Sequence, residues 1–351
     1  MKKIFIVRYK VGLGLGGAES HAAHVAIKLL ERGFQVGVIA HEILFPEEVK
    51  NKISFYPIKF QGFGSVPKHL LFYLQAKKIL SQIPKATIIN FARIPIAAHL
   101  FIMCDPLIAF LIEQKQPFIA PFRFRYQTLL NLERKTLLKA KKIISLFSLG
   151  KSLIEKHYPS FFHKTFICYR GLDQAKFNPF NKNLKHLLRE KWGFSKEDYL
   201  LLFVGLDTKR KGLKVLLKIM PFLPQRIKLV VAGVEGKNAE RIIYLGKVSK
   251  IEELYALADL FVLPTLYDPG ALATLEALAS GTPVITTPYD GTKEFVKEGI
   301  NGFIAEPDPE SFRKSILKAL EIPFNPIRIA NSIKNLTWDQ YVDCLLSHLE
   351  Y

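Results

Sequence analysis

Two carboxylates in the second half of the chain have a spacing that suggests chemistry. Asp268 and Glu276 stand eight residues apart in 264-PTLYDPGALATLEALASGTPVITT-287, ahead of a Gly-Thr-Pro turn and an apolar strand. If the whole interval were helical, the two groups would lie about 12 Å apart along the axis. That distance is too long for a pair that flanks a single bond, as in a glycosidase. The two acids therefore serve two ends of one long ligand, or they act independently.

Two cations stand in a loop upstream of these acids. Arg210 and Lys211 belong to 206-LDTKRKG-212, which follows the apolar strand 199-YLLLFVG-205 and enters a helix. Such a loop can hold a diphosphate by charge-assisted hydrogen bonds, although a solvated run of charge is the simpler alternative. The helix that opens near Ala273 and Thr274 adds free N–H groups and the positive end of its dipole. Together these elements predict a pyrophosphate cradle.

A glycine-rich loop near the start of the chain offers a second place for a phosphate. The stretch 12-GLGLGGAE-19 fits G-x-G-x-x-G through Gly12, Gly14 and Gly17 between a strand and a helix. Backbone N–H groups can approach a phosphate closely at such a turn. An NAD-linked oxidoreductase is one alternative, with Glu42 after the second strand as its ribose ligand, and a flexible turn without a ligand is another.

The elements that position these groups alternate between short apolar strands and helices. Such alternation predicts parallel sheets covered on both faces, and hence an α/β fold of two doubly wound domains. The predicted strands are 3–9, 34–41, 52–58, 87–92, 143–147, 165–171, 199–205, 227–233, 242–246, 260–264, 283–287 and 302–307. The predicted domains are residues 1–172 and 184–336, with a linker at 173–183 and a terminal helix from 337 to 351.

The positive charge is concentrated in the first half of the chain. Residues 1–170 contain 26 Lys and Arg against 9 Asp and Glu, a net charge of +17, whereas residues 171–351 carry only +2. This asymmetry favours an acidic partner for the first half: a phosphorylated substrate, an anionic membrane face or nucleic acid. The sequence carries no helix-turn-helix, zinc or RNA-recognition signature, which disfavours a nucleic-acid-binding protein.

The sequence predicts a cytoplasmic protein without a membrane span. The longest apolar candidate, residues 94–112, contains His99, Asp105 and two prolines, and the apolar run at the amino terminus ends at Arg8. Neither reaches the roughly 20 residues that a bilayer requires. Three scattered cysteines, at positions 104, 168 and 344, fit unpaired thiols in a reducing compartment.

Three motifs together resemble the family 4 retaining glycosyltransferases. They are 16-GGAE-19, Arg210-Lys211-Gly212 and 268-DPGALATLEALASGTPVI-285. The resemblance covers essentially the whole chain, including 337-TWDQY-341, which opens a helix that in such enzymes packs back on the first domain. It implies a GT-B fold, in which two Rossmann-like domains face a central cleft, with residues 1–172 binding the acceptor and residues 184–336 binding the nucleotide sugar. Within the family, stretches 89–101, 123–137 and 203–212 resemble glucosyltransferases of the lipopolysaccharide core.

The resemblance also assigns roles to the two acids. In similar enzymes the second acid, here Glu276, accepts hydrogen bonds from the ribose, while the first, here Asp268, lies beside the donor sugar. One nucleotide sugar then spans the gap between them. The first acid is Asp where the family usually has Glu, one methylene longer, which leaves the identity of the donor sugar open. The implied donor-binding residues are Gly16, Gly17, Arg210, Lys211, Gly233, Ala273, Thr274 and Glu276.

The resemblance implies a retaining transfer of a hexose, most readily glucose, from a UDP-sugar to a lipopolysaccharide-core or similar glycolipid. A GDP-mannose-dependent mannosyltransferase is the nearest alternative. Two cationic side chains and a helix dipole can stabilise the leaving diphosphate, so no cofactor and no metal are expected. The enzyme is expected to act as a monomer.

The group that takes the acceptor proton is open between two residues. His99 is placed on a loop at the carboxyl end of strand 87–92, where it could contact the sugar or relay the proton, and Asp105 is the alternative. His21 and His24 lie three residues apart but lack a third ligand, so no metal site is predicted there.

The segment 113–142 predicts contact with an anionic membrane surface. Its charged residues are Glu113, Lys115, Arg123, Arg125, Glu133, Arg134, Lys135, Lys139, Lys141 and Lys142, interleaved with Phe118, Phe122, Phe124 and Tyr126. Aromatic rings beside cations suit a headgroup boundary. The alternative is a solvated helix whose leucines at positions 129, 130, 137 and 138 face the core.

Overall fold

The computed structural model describes residues 3–59, 65–83, 85–115 and 124–349. The chain divides into two compact units, Met1–Gly171 with Trp338–Tyr351, and Leu172–Thr337. Each unit is a parallel sheet with helices packed against it. The predicted α/β class with two doubly wound, Rossmann-like domains is therefore confirmed.

The first unit contains a seven-stranded parallel sheet in the order β5-β3-β1-β6-β7-β8-β9. Its strands are β1 Lys3–Val7, β3 Gln35–Ala40, β5 Ile53–Pro57, β6 Thr87–Asn90, β7 Ala98–Met103, β8 Ala140–Ser145 and β9 Thr165–Ile167, beside a short parallel pair of β2 Lys10–Gly12 and β4 Glu42–Leu44. Its helices are α1 Gly17–Glu31, α2 Glu47–Lys50, α3 Ser65–Ser81, α4 Ile108–Lys115, α5 Phe124–Lys139 and α6 Ser148–His157, together with α13 Trp338–Ser347 near the end of the chain. The central strands are buried on both faces, as the apolar runs of the sequence require.

The second unit contains a six-stranded parallel sheet in the order β12-β11-β10-β13-β14-β15. Its strands are β10 Tyr199–Val204, β11 Ile227–Ala232, β12 Ile242–Gly246, β13 Leu260–Val262, β14 Val284–Thr286 and β15 Gly302–Ile304. Its helices are α7 Lys185–Lys191, α8 Leu213–Ile219, α9 Ile251–Leu257, α10 Leu272–Ala279, α11 Pro309–Leu320 and α12 Pro326–Asn331. The side chains of Asp308 and Asn325 cap α11 and α12, and each cap precedes a proline that suits the first helical position.

Strand β7 was not predicted from the sequence. The pattern placed His99 on a loop, whereas residues 98–103 form a strand between β6 and β8 with only His99 partly exposed. The strand lies between two prolines, and its continuous apolar run of Leu100 to Met103 reads equally as a buried helix or strand. The catalytic placement of His99 depended on this error.

The terminal helix α13 packs on α1 within the first unit. The indole of Trp338 stacks on the ring of His24 at 4.4 Å, and Arg32 donates a hydrogen bond of 2.8 Å to Asp343. A disulfide also links α13 to the sheet, because it joins Cys344 in the helix to Cys168 just after β9. The expectation of three unpaired cysteines is therefore wrong for these two. Only Cys104 is a free thiol.

The sequence predicts no membrane-spanning segment. Among the described residues, none of the helices combines the length and apolar character needed to cross a membrane.

Candidate active site

Two loops at the carboxyl ends of β10 and β13 are locked together in the second unit. Gly212 has φ 75°, and a Cβ at this position would lie 1.9 Å from the carbonyl oxygen of Pro264, so only glycine fits. The carbonyl of Arg210 accepts hydrogen bonds from the N–H of Leu266 at 2.8 Å and from the hydroxyl of Thr265 at 3.2 Å. The loop that carries the cations is thereby fixed against the loop that carries Asp268.

The cations predicted from the sequence converge on Asp268. Arg210 Nη1 lies 3.0 Å from Asp268 Oδ2 and donates a 2.7 Å hydrogen bond to the carbonyl of Tyr267. Lys211 Nζ lies 4.0 Å from the same carboxylate oxygen. Burial opposes the charge of Arg210, but Asp268 and Asp207 outweigh it and raise the pKa of the guanidinium. The three charged groups form one cluster that is mostly buried yet accessible at Arg210, whose side chain is 26% exposed.

Helix α10 begins four residues after Asp268. Asp268 Oδ1 accepts the N–H of Gly270 at 3.3 Å. Within the described chain, the N–H groups of Leu272 and Ala273 have no acceptor, as expected for the first turn of a helix. The N–H of Thr274 is already bonded to a carbonyl within the turn. Of the two helical residues predicted to hold the diphosphate, Ala273 is therefore the one with an available donor.

A buried carboxylate that sequence reasoning missed supports this helix start. Asp290 accepts hydrogen bonds from the N–H of Ala271 at 3.2 Å, the hydroxyl of Thr274 at 2.9 Å, the hydroxyl of Thr286 at 2.7 Å and the N–H of Thr292 at 2.9 Å. Burial, and then the nearby Asp268, raise the pKa of Asp290. The available signal was an Asp three residues after the apolar strand ending in Thr-Thr, at the edge where ligands bind.

Glu276 lies one turn further along α10. It accepts a 2.8 Å hydrogen bond from the hydroxyl of Tyr255, which is fully buried. Because Glu276 and Ala273 are three residues apart on one helix, they lie on the same face. Glu276 therefore lies on the same face of α10 as the available N–H of Ala273, while Asp268 binds the turn before the helix.

Gly233 brings the ends of two strands close together. It has φ 104°, and its N–H donates a 2.7 Å hydrogen bond to the carbonyl of Gly246. A Cβ at Gly233 would lie 2.8 Å from the carbonyl oxygen of Gly205. A side chain is excluded at Gly233. The backbones of Gly205, Gly233 and Gly246, at the carboxyl ends of β10, β11 and β12, therefore pack closely and form the floor of this sheet edge.

A groove of about 450 Å³ opens beside this floor. Thr208 and Lys209 border it on one side, and Val234, Glu235 and Tyr244 border it on the other. Its volume falls within the usual 300–1,000 Å³ of ligand pockets. The second unit therefore combines a cationic cluster, an open helix start and a pocket on the same edge of its sheet.

The glycine-rich loop of the first unit leads into α1. Gly16 precedes the helix, and a Cβ there would lie 2.5 Å from Glu19 Oε2. Arg170 donates a 2.8 Å hydrogen bond to the carbonyl of Gly17. This loop is held by side chains of its own unit.

Arg8 organises the carboxyl edge of the first sheet. Its guanidinium lies 2.9 Å from Glu19 Oε1 and 3.1 Å from Asp105 Oδ2, and it donates a 2.6 Å hydrogen bond to the carbonyl of Phe91. Burial opposes the charge on Asp105, but Arg8 outweighs it and holds the pKa of this carboxyl below its usual range. A carboxylate with a depressed pKa is a weak base at neutral pH, which counts against Asp105 as the proton acceptor. Sequence reasoning missed Arg8 because a lone Arg at a strand end carries no motif.

His99 lies at the opposite edge of this sheet. It is the second residue of β7, and its Nδ1 accepts the N–H of Ile88 near the start of β6 at 3.1 Å. At about 3.3 Å per residue, it stands roughly 13 Å before the carboxyl end of its strand. The predicted placement at a carboxyl end is wrong, and His99 has no geometric basis for contact with a sugar there.

The other two histidines singled out by the sequence belong to an aromatic cluster. Both ring nitrogens of His21 are buried without a hydrogen-bond partner among the described residues, and the ring packs against Phe91, Trp338 and Tyr341. Burial, followed by nearby cations, lowers the pKa of His21. His24 stacks on Trp338. These contacts give both histidines a role in packing.

The segment predicted to contact a membrane is partly a core helix. Leu129 and Leu137 of α5 are buried, and Glu133 is buried in contact with Arg93 and the start of α4. Other positions of the same helix face outward: Phe124, Arg125, Arg134, Lys135, Leu138 and Lys139 are exposed. Residues 116–123 lie outside the described residues, including Phe118, Phe122 and Arg123. The core-packing alternative therefore holds for one face of α5, and membrane contact through the exposed face stays a prediction.

Two Rossmann-like units with a cationic loop, an acidic loop and an open helix start at a sheet edge define the GT-B class of glycosyltransferases. Residues 185–335 match the family model described as glycosyl transferases group 1. The chain is therefore a GT-B glycosyltransferase with a group 1 domain in its second unit, which confirms the resemblance drawn from the motifs. An NAD-linked oxidoreductase and a nucleic-acid-binding protein are set aside by the same match.

Relatives with curated descriptions point the same way. The chain is 23% identical over 335 residues to the lipopolysaccharide glucosyltransferase WaaG of Escherichia coli, covering 90% of this chain and 88% of that protein. It is 28% identical over 196 residues to an uncharacterized glycosyltransferase of Methanocaldococcus jannaschii, covering 51% of this chain and 50% of that protein. A GDP-mannose-dependent alpha-mannosyltransferase of Corynebacterium glutamicum is 27% identical over 192 residues, covering 51% of this chain and 46% of that protein.

Solved structures share the fold over nearly the whole chain. A crystal structure of WaaG, a glycosyltransferase involved in lipopolysaccharide biosynthesis, has a TM-score of 0.81 at 20% identity and covers 99% of this chain and 96% of its own. The Anabaena protein HepE in complex with UDP-glucose has a TM-score of 0.71 at 16% identity, covering 99% of this chain and 100% of its own. At these identities the likeness establishes the fold alone.

Proposed function

We propose that this glycosyltransferase is retaining and metal-independent, and that it transfers glucose from UDP-glucose to a lipopolysaccharide-core or similar phosphorylated glycolipid. The observation that carries the proposal is the cluster of Arg210, Lys211 and Asp268 at the turn before the open start of α10, with Glu276 on the same helix. The likeness to WaaG over 90% of this chain supports the sugar and the acceptor. The complex of HepE with UDP-glucose shows that the fold accommodates this donor in another protein.

The proposed chemistry follows from where charge develops. As the bond between the anomeric carbon and the β-phosphate oxygen breaks, the electron pair stays with the departing UDP, and positive charge grows on the sugar ring. Fixed donors at the phosphate then stabilise the transition state more than the ground state. Arg210 and Lys211 supply two positive charges, and the N–H groups of Leu272 and Ala273 supply the positive end of a helix dipole. This set of donors is the reason for proposing that no divalent metal is needed.

Asp268 takes a positioning role in this proposal. One of its oxygens lies 3.0 Å from Arg210, and the other accepts the N–H of Gly270. The carboxylate therefore aims the guanidinium and fixes the turn before α10. Glu276, held by Tyr255, is proposed to accept hydrogen bonds from the ribose hydroxyls of the donor. The acceptor proton has no assigned base, because His99 lies at the wrong edge of its sheet and Asp105 is paired with Arg8.

The proposal is tested by turnover in the presence of EDTA. Transfer of labelled glucose from UDP-glucose to a lipopolysaccharide-core acceptor should continue unchanged when EDTA is added, and the anomeric configuration of the product should match that of the donor. Activity that EDTA abolishes and magnesium restores would refute the metal-free mechanism. Inversion at the anomeric carbon would refute retention, while leaving the donor assignment intact.

A GDP-mannose-dependent mannosyltransferase is the second candidate, because one relative carries that description. The two donors are separated by thermal unfolding with UDP or GDP. A ligand at a hundred times its Kd stabilises the folded state by about 2.7 kcal/mol. UDP should raise the melting temperature more than GDP does at equal concentration, and the opposite order would favour the mannosyltransferase.

Attachment to an anionic membrane face is proposed to bring the enzyme to its lipid-linked acceptor. Within the described part of segment 113–142, Phe124 is 83% exposed and Leu138 is 61% exposed beside the cations of α5. Helix α3, which contacts α5, adds Leu70, Leu71 and Leu74 with 49%, 36% and 51% exposure. Apolar side chains among lysines and arginines suit insertion at a headgroup boundary.

The proposed location is the cytoplasmic side of the inner membrane, where a monomer would draw soluble nucleotide sugar. Disulfides are rare in reducing compartments, so the bond between Cys168 and Cys344 makes this location testable. If the protein resides there, a thiol-blocking reagent added to intact cells should alkylate both cysteines, and the disulfide should form only after lysis. A Cys168–Cys344 pair that is already oxidised, and therefore is not alkylated, would place the protein in an oxidising compartment.

A further inference from the structure

The amino-terminal edge of the first sheet contains a cavity that the proposed transfer reaction does not use. Its volume is about 170 Å³, and the described residues that line it are His99, Lys141, Lys142 and His348. His99 is the second residue of β7, Lys141 and Lys142 are the second and third residues of β8, and His348 directly follows α13. All four belong to the first unit, and all four are basic.

A backbone hydrogen bond determines which ring nitrogen of His99 can donate. Its Nδ1 accepts the N–H of Ile88, so the neutral ring carries its proton on Nε2. Among the described residues, Nε2 has no hydrogen-bond acceptor. The backbone of β6 thus selects the tautomer that offers an N–H group from this ring.

Both histidines lie in the positive field of a lysine. Burial, and then Lys141, lower the pKa of His99, while burial, and then Lys142, lower the pKa of His348. Each lysine therefore makes protonation of its neighbouring histidine harder. An anion bound among the four side chains would reverse this effect and would accept charge-assisted hydrogen bonds from them.

The side chains on the α13 side are held in place by β9. The ring of Phe166 packs against His348 at 4.5 Å and lies 5.9 Å from Lys142 Nζ. Cys344, one helical turn before His348, is tied to Cys168 after β9 by the disulfide. The described lining of the cavity thus comes from two strands and a cross-linked helix end, and Phe166 of β9 packs against that helix end.

We propose that this cavity is a binding site for a phosphate monoester group, separate from the nucleotide-sugar site. A dianion matches two lysine ammonium groups with two imidazole donors. The cavity volume of about 170 Å³ is several times the roughly 30 Å³ of a single water molecule, so there is room for a larger group. The group can come from a soluble phosphorylated sugar or from a lipid headgroup such as that of phosphatidic acid. The site gives a specific binding role to part of the positive charge in the first half of the chain, namely Lys141 and Lys142.

Calorimetric titration of inorganic phosphate into the UDP-saturated full-length protein tests the proposal. Saturation with UDP removes phosphate binding at the donor cradle, so the remaining heat reports on a second site. The double variant Lys141→Gln/Lys142→Gln should weaken phosphate binding by tenfold or more, and His99→Gln should weaken it by a smaller factor. The matched control is Lys77→Gln, an exposed lysine of α3, which should leave it unchanged.

The affinity for UDP separates this inference from the proposed function. Both cavity variants should bind UDP as the wild type does and unfold at a similar temperature. Phosphate binding that is undetectable at millimolar concentrations, or that the double variant leaves unchanged, would overturn the proposal. Phosphate heat that appears only without UDP would assign the binding to the donor site, and would overturn it as well.

The source of the phosphate group is identified by flotation. Vesicles of phosphatidylcholine with phosphatidic acid are compared with vesicles of phosphatidylcholine and phosphatidylglycerol, which carries a phosphodiester. Stronger binding to phosphatidic acid that free phosphate displaces and the double variant abolishes would support a lipid source. Binding of soluble phosphate without this preference would support a phosphorylated sugar.

Discussion

The guanidinium of Arg210 lies 3.0 Å from the carboxylate of Asp268, and this pair joins the loop after β10 to the loop after β13. Lys211 approaches the same carboxylate at 4.0 Å. Asp207 also pairs with Arg210 at 3.4 Å, so the two cations face two carboxylates near the start of α10. A diphosphate placed there would meet fixed donors, which cost no reorganisation during the reaction.

Arg210→Ala should therefore lower kcat more than it weakens donor binding. Loss of one such donor typically costs about 10²–10³ in rate. Arg210→Lys retains the charge but loses the planar fork, so it should recover only part of the rate. The measurement is steady-state kinetics with UDP-glucose, together with the Kd of UDP. Arg328→Ala, at an exposed position of α12, serves as the control and should match the wild type. An equal effect of Arg210→Ala on kcat/KM and on UDP affinity would contradict a transition-state role.

Glu276→Ala should have the opposite signature, with weaker nucleotide binding and a smaller effect on kcat. Hydrogen bonds to a charged group contribute about 1.5–3 kcal/mol, which corresponds to roughly a 10- to 150-fold increase in the Kd of UDP. Tyr255→Phe removes the 2.8 Å hydrogen bond that orients the carboxylate, and should raise the Kd by a smaller factor. Calorimetry with UDP and with uracil distinguishes a ribose contact from a base contact. Unchanged UDP affinity in Glu276→Ala would rule out the ribose contact.

Gly212→Ala should disrupt the joined loops. The left-handed backbone alone costs an ordinary residue about 1–2 kcal/mol. The new Cβ would also lie 1.9 Å from a backbone oxygen of Pro264, which cannot move aside as a side chain can. Gly193→Ala is the matched control, because its φ is 74° but nothing lies within 4 Å of the added Cβ. Urea unfolding should show a larger loss of stability for Gly212→Ala, accompanied by loss of turnover. Equal losses in the two variants would mean that the clash is relieved elsewhere.

The Cys168–Cys344 disulfide should stabilise the first unit. It closes a separation of 176 residues, and removal of a cross-link typically lowers the free energy of unfolding by about 2–4 kcal/mol. The variant Cys168→Ser/Cys344→Ser should melt at a lower temperature than the wild type without reductant. Dithiothreitol should bring the wild type to the value of the double variant and leave the double variant unchanged. Three titratable thiols in the denatured, unreduced wild type would show that the bond does not form.

The sequence predicted that the loop of Arg210 and the start of α10 would meet, because both follow strands of one parallel sheet. Carboxyl ends of parallel strands meet at one edge, so residues 58 positions apart become neighbours. Asp290 lies at the same edge, yet nothing in the motif marks a buried carboxylate whose hydrogen bonds come from four different positions. Such a residue is identified only when the fold brings its donors together.

The error at β7 had a physical cause and a lasting consequence. An apolar run between prolines gives no periodicity by which a buried strand differs from a helix or from a connecting segment. Once residues 98–103 are a strand, the direction of the sheet places His99 at the amino edge and Asp105 at the carboxyl edge. The sequence identified both residues as groups that could accept a proton. It did not predict which edge of the sheet each residue would occupy.

Membrane attachment through α5 predicts salt-sensitive binding to anionic vesicles. The exposed cations of the helix include Arg125, Lys135 and Lys139, and each basic residue near anionic lipid contributes about 1 kcal/mol. The triple variant Arg125→Ser/Lys135→Ser/Lys139→Ser should lose most of its co-sedimentation with vesicles rich in phosphatidylglycerol. Added salt should weaken the wild type in the same direction, because the attraction is screened.

The matched control for this prediction removes the same charge from the second unit. Lys196, Lys314 and Lys318 are exposed there, and the triple change to Ser should leave vesicle binding intact if α5 is the attachment surface. An apolar contribution is tested separately by Leu70→Ser/Leu74→Ser in α3, which should reduce binding even at low salt. Equal loss of binding in both charge variants would show that net charge alone drives the association, and would defeat attachment through a defined surface.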